Sequence, residues 1–234
     1  MVKSIDDKMH SLSLAIGTVL PRFFVSIIGF VVGMNKFSLI VVLALFSTAL
    51  FAKNILVIGD SISAAYNMPT EKGWVNVLQQ TLNENDLPYT LINKSISGDT
   101  TRGGLARIDK VLEQHKPEIV LLELGANDGL RGFPPILIKK NLRELIKRCQ
   151  ESGAQVLLLS MRIPTNYGKR YTDMFYNNYP DLAEEMDIPF VPFILEDVAL
   201  AQDMMQKDGL HPNEKAQPVI AEKVWGYLEQ VLDQ

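Results

Sequence analysis

Four short blocks hold the residues that could do chemistry: Gly59-Asp60-Ser61-Ile62-Ser63, Ser95-Ile96-Ser97-Gly98-Asp99-Thr100, Gly125-Ala126-Asn127-Asp128-Gly129 and Asp208-Gly209-Leu210-His211-Pro212. A serine hydroxyl is a weak nucleophile until a neighbouring base takes its proton, so Ser61 needs a base. The chain has three histidines. His10 falls in an apolar N-terminal stretch. His115, in Glu113-Gln114-His115-Lys116-Pro117, reads as a solvated or capping residue at a helix end. Only His211 stands in a block of small and polar residues, three positions after a carboxylate, Asp208. The residue before a proline is pushed toward extended backbone, so Gly209 and Pro212 predict a turn. That turn can bring Asp208 to one imidazole nitrogen, fixing its tautomer and leaving the other nitrogen for Ser61. A plainer reading competes at each position: Ser61 as a helix N-cap, Asp208 as a cap with His211 incidental, and Asp60 as a turn residue.

Gly98 offers a backbone N–H where a Cβ could block approach, and Asn127 offers a side-chain amide; alone, each also reads as a turn residue. Acting together, such donors stabilise a tetrahedral oxyanion, at about 2.7–4 kcal/mol per donor in other enzymes. If the four blocks meet in space, the chemistry open to them is acyl transfer.

The blocks gain meaning from the elements around them. From Lys53 onward, short apolar runs alternate with amphipathic stretches. Ile55–Ile58, Tyr89–Ile92, Ile119–Leu122, Val156–Leu159 and Phe190–Val191 predict five strands, the first read as buried on both faces. Helical spacing places apolar faces on Trp74-Val77-Leu78-Leu82, on Leu105 to His115, on Pro135 to Glu151, on Tyr171 to Met186 and on a last helix capped by Asn213. Strand–helix alternation of this kind implies an α/β fold: a parallel sheet covered by helices on both faces. In such sheets, ligands bind beyond the carboxyl ends of the strands, which is where three of the four blocks fall.

Composition narrows the rest. With 23 basic and 27 acidic residues, the net charge is −4, without the basic excess of a nucleic-acid-binding protein. The single cysteine, Cys149, allows no intrachain disulfide and reads as a core residue. No Cys/His cluster has metal-ligand spacing, so no structural or catalytic zinc is expected. Residues 34–52, with Lys36, an apolar run and Ser47-Thr48-Ala49, fit a secretory signal peptide. Residues 1–33 read as an upstream extension. The alternative there is a membrane segment over residues 12–32, although Arg22 at its middle would cost roughly 2.5–3.5 kcal/mol. Residues 53–234 then form one domain acting outside the cytoplasmic membrane, in the periplasm or secreted.

The four blocks, in this order, resemble those of the SGNH (GDSL) hydrolase family, with Ser61, Gly98, Asn127 and His211 at its named positions and Asp208 three before the histidine. Gly125–Gly132 and Arg162–Gly168 look like its branch of periplasmic multifunctional esterases, thioesterases and lysophospholipases, apart from Ala126, where glycine is expected. The resemblance implies a flavodoxin-like three-layer α/β/α fold with a five-stranded sheet and an acyl-enzyme on Ser61. It also implies an oxyanion hole of the Ser61 and Gly98 N–H groups and the Asn127 amide, with no metal or cofactor. Leu130, Phe133, Pro134, Ile163 and Tyr167 are then expected to line the acyl pocket. The expected substrates are small acyl esters or thioesters, including lysophospholipids, acted on by a monomer. Carbohydrate O-acetyl esters and a non-catalytic envelope binding protein are the competing readings.

Overall fold

The computed structural model describes residues 53–201 and 203–232; the expectations for residues 1–33 and 34–52, the span 12–32 and His10 lie outside the described residues. Val57 and Ile58 end a run from Ile55 with no exposure at all. A strand apolar on every residue suits a sheet covered on both faces. That run is the heart of β1 (Lys53–Gly59), followed by β2 (Tyr89–Asn93), β3 (Ile119–Glu123), β4 (Gln155–Leu159) and β5 (Phe190–Val191). All pairings are parallel, in the order β2-β1-β3-β4-β5. This is the flavodoxin-like doubly wound order, whose switch point lies between β1 and β3. The register Gly59↔Glu123 ends both strands at one level, so the residues that follow them share one crevice.

The helices are α1 (Trp74–Glu84), α2 (Thr101–His115), α3 (Ala126–Leu130), α4 (Pro135–Glu151), α5 (Lys169–Met186) and α6 (Gln217–Leu232). α1 packs on α6, while α4 packs on both α2 and α5, giving the two outer layers. Cys149, on the inner side of α4, is fully buried. Burial pushes its thiol up to about 12, as suits a packing residue and not a reactive one.

The structure departs from the sequence expectation in three places. α2 begins at Thr101, capped by the Thr100 side chain, which accepts from the Gly103 N–H. Gly103 and Gly104 lower local helix propensity, and tertiary packing overrides it. Gly104 eases the packing there, because a Cβ would meet Leu124 Cδ1 at 2.6 Å and force that side chain to shift. α3, five residues long, occupies what reads as a loop. His115 does not cap α2: Lys116, with φ 42°, does so, and the His115 Nε2 is enclosed without a partner among the described residues.

Candidate active site

Ser61 follows β1 by two residues and is buried. Its Oγ lies 2.9 Å from Nε2 of His211. The other ring nitrogen, Nδ1, lies 2.8 Å from Asp208 Oδ2, and Asp208 Oδ1 accepts the N–H groups of Leu210 and His211 at 2.9 and 3.0 Å. Asp208 thus caps its own turn with one oxygen and meets the imidazole with the other, so the two readings of this residue hold together. Burial alone would raise its carboxyl; the backbone N–H groups and the imidazole outweigh it and hold the pKa at about 2. The Tyr66 ring covers the imidazole at 4.4 Å between centroids.

The turn is fastened by a residue the sequence did not single out. Gln206 donates its backbone N–H to the His211 carbonyl at 2.7 Å and accepts the Gly209 N–H at 3.0 Å. Its Nε2 donates to the carbonyls of Tyr66 and Pro212, each at 3.0 Å, and its Oε1 accepts from Asn67 Nδ2 at 3.2 Å. One side chain therefore joins the segment behind Ser61 to the segment holding His211.

The N–H groups of Ser61 and Gly98 are not spent on any hydrogen bond among the described residues. Gly98 has φ +79°, and a Cβ there would have only Arg131 Nη2, at 3.9 Å, within 4 Å. Backbone conformation, not crowding, is what calls for glycine at this position. Its loop is held from two sides: Arg131 Nη2 donates to the Gly98 carbonyl at 3.0 Å, and Arg107 grips Asp99 Oδ2 with two N–H groups. Asp128 ties the neighbouring block to α2 by accepting the Thr101 N–H and hydroxyl at 2.8 and 2.7 Å.

Asn127 donates one Nδ2 hydrogen to Asp60 Oδ2 at 2.9 Å, which fixes the amide and leaves its second hydrogen available. Asp60 is a turn residue as expected, its Oδ1 accepting the Ile62 N–H at 3.0 Å, but it is also the group that orients Asn127. Beneath it lies Glu123, fully buried, whose Oε2 accepts the Ser63 hydroxyl and the Asp60 N–H at 2.8 and 3.1 Å. Gly59 makes the approach possible, since a Cβ would stand 2.6 Å from that oxygen.

Burial raises the Asp60 carboxyl to about 6 and drives Glu123 well above the carboxylate range, with Asp60's charge adding to the Glu123 shift. An acid whose folded pKa is raised holds more protons folded than unfolded. For Asp60 stability therefore falls as pH rises from about 4 to about 6, and for Glu123, raised further, the fall continues to higher pH. Glu123→Gln should melt higher than the parent at about pH 8, by about 3–6 °C, and the gain should vanish near pH 4. Thermal melts at the two pH values check this; an equal shift at both would show that charge is not the cause.

Of the expected pocket residues, Leu130 is half-buried while Phe133, Pro134 and Tyr167 are exposed around the block after β3. The Tyr167 hydroxyl donates to the Leu130 carbonyl at 2.7 Å, joining the two flanking segments. Ile163 is buried beneath Gly129, where a Cβ would meet its Cγ2 at 2.8 Å, so it floors this region from below.

The chain that carries this site is similar to a known class of enzymes. The chain matches the GDSL-like lipase/acylhydrolase family over residues 57–217 and belongs to that family. It is 51% identical over 187 residues to the arylesterase of Vibrio mimicus, covering 80% of this chain and 94% of that protein. It is 44% identical over 182 residues to the thioesterase 1/protease 1/lysophospholipase L1 of Escherichia coli, covering 78% and 86%. Among solved structures it matches the psychrotrophic esterase EstA from Pseudoalteromonas sp. inhibited by monoethylphosphonate, with TM-score 0.75 and 43% identity, covering 78% of this chain and all of that one.

Proposed function

We propose that this enzyme hydrolyses acyl esters and thioesters through an acyl-enzyme on Ser61. The observation that carries the reading is the continuous chain from Asp208 to His211 Nδ1 and from His211 Nε2 to Ser61 Oγ. His211 takes the Ser61 proton as Oγ attacks the acyl carbon. The tetrahedral oxyanion forms beside the Ser61 and Gly98 N–H groups and the Asn127 amide. His211 then gives the proton to the departing alkoxide or thiolate, and the acyl group remains on Ser61. Water, deprotonated by His211, attacks the acyl-enzyme and releases the acid. Asp208 stays ionised throughout and stabilises the imidazolium.

The acyl chain lies along Leu130, Phe133, Pro134 and Tyr167 over the floor at Ile163. Aryl esters, acyl thioesters and lysophospholipids are the substrate classes this reading names, by likeness to the relatives above. The enzyme acts as a monomer outside the cytoplasmic membrane, the location that the signal-peptide pattern of residues 34–52 supports.

Labelling with a fluorophosphonate, followed by mass analysis of the peptides, tests the nucleophile. The adduct is expected on Ser61, and an adduct on any other residue overturns the assignment. Leu130→Ala is expected to shift the ratio of kcat/KM between long and short acyl chains by about tenfold toward the longer ones, the worth of roughly one or two methylenes. A p-nitrophenyl ester series measures it, and an unchanged ratio removes Leu130 from the pocket.

A further inference from the structure

Every exposed large apolar side chain among the described residues lies in a connection leaving a strand, or in the first two turns of the helix behind it. None lies in the four connections that lead into β2 to β5 at the opposite edge of the sheet. Six of them surround the blocks after β2, β3 and β4: Ile96 at 51% exposed, Phe133, Ile136 at 74%, Leu137, Tyr167 and Met174. Exposed apolar groups this concentrated on one face mark an interaction surface.

Charge around these three blocks is one-sided, whereas the connections after β1 and β5 on the same edge, residues 60–73 and 192–216, hold three basic and seven acidic residues. Residues 94–102, 124–140 and 160–174 hold eight basic and three acidic residues, in a chain whose net charge is −4. All three carboxylates are engaged: Asp99 by Arg107, Asp173 by Lys169, and Asp128 by Thr101. Arg102, Lys140 and Arg170 form no ion pair among the described residues, and Arg131 bonds only the Gly98 carbonyl. Apolar and aromatic groups ringed by unneutralised cations are complementary to an anionic bilayer surface, where tyrosine and phenylalanine settle at the headgroup level.

We propose that this face docks on anionic phospholipid surfaces, with Ile136 and Leu137 entering the headgroup boundary and Arg102, Arg131, Lys140 and Arg170 facing the lipid phosphates. The mouth of the site then opens onto the surface, so a lipid acyl chain can pass to Ser61 without crossing water. That consequence rests on the esterase reading, whereas the docking itself does not.

The test uses residues 53–234, about the 78% of this chain that covers the whole of the solved EstA chain, and so removes any contribution from the apolar N-terminus. Sedimentation is measured with phosphatidylcholine vesicles containing a minority of phosphatidylglycerol, and with pure phosphatidylcholine vesicles. Turnover of a water-soluble acetyl ester is measured in parallel. Ile136→Glu/Leu137→Glu is expected to abolish sedimentation with the anionic vesicles and leave soluble-ester turnover unchanged. Lys140→Ala/Arg170→Ala is expected to weaken binding by about fivefold for each cation removed. Equal binding to both vesicle types, undiminished binding by the glutamate variant, or no vesicle binding with a concentration-dependent dimer lost in that variant would each overturn the proposal. Soluble-ester turnover separates such a failure from a failure of the esterase reading.

Discussion

Ser61→Ala is expected to lower kcat for acyl-ester hydrolysis by about 10⁵- to 10⁶-fold while leaving KM within a few-fold of the parent value. His211→Ala should cost nearly as much, and the double variant little more than either alone. The reason is geometric. The 2.9 Å contact joins hydroxyl and base into a single proton-transfer unit, and removing either half removes the whole function. What should survive is binding together with the proposed donors at Ser61, Gly98 and Asn127, acting on a carbonyl attacked by water. Single-turnover and steady-state rates on a p-nitrophenyl ester, with active-site titration to exclude parent enzyme, give the three values. Losses that multiply across the two sites would mean the groups act separately.

Asp208→Asn is expected to cost about 10⁴-fold in kcat, with the fold intact. In the parent, Oδ2 accepts from Nδ1 and so keeps the unprotonated nitrogen toward Ser61. An asparagine that keeps its oxygen on the Leu210 and His211 N–H groups must turn its NH₂ toward Nδ1. Nδ1 then becomes an acceptor and Nε2 carries the hydrogen, so Ser61 faces a donor and cannot be deprotonated. Because the turn survives, the melting temperature should stay within about 2–4 °C of the parent, the shift from about 1 kcal/mol in a chain this size. A loss of less than tenfold would show that the tautomer is fixed by something other than Asp208.

The sequence made one part of this site readable and hid the other for a physical reason. β1, β3 and β4 were legible because burial on both faces leaves a bare apolar run, while the edge strands β2 and β5, only partly buried, were read from short apolar runs between helical stretches. Ser61, Gly98, Asn127 and His211 were legible because a parallel sheet sends the residues after its strand ends to one crevice. Asp208 was legible through its spacing from His211. Glu123 was not: a carboxylate closing an apolar strand looks like the first exposed residue of a loop, and only the register with Gly59 puts it under Asp60. The same holds for Asp60, whose bond to Asn127 spans 67 positions, and for Gln206, whose partners Tyr66 and Asn67 lie about as far upstream as His211 lies from Ser61. Such partners emerge only from the strand order. Ile163, expected at the pocket, is buried beneath Gly129, a depth that an apolar residue in a loop does not announce.

Gln206 also bears on how the enzyme ages under heat. The nucleophile follows β1, a strand inside the sheet, whereas its base rides on a C-terminal turn that Gln206 ties to the segment behind Ser61. Warming can loosen that turn while the β-sheet stays whole. Turnover should therefore fade at a temperature where circular dichroism still reports a native spectrum, and cooling should restore it, since nothing in the core has come apart.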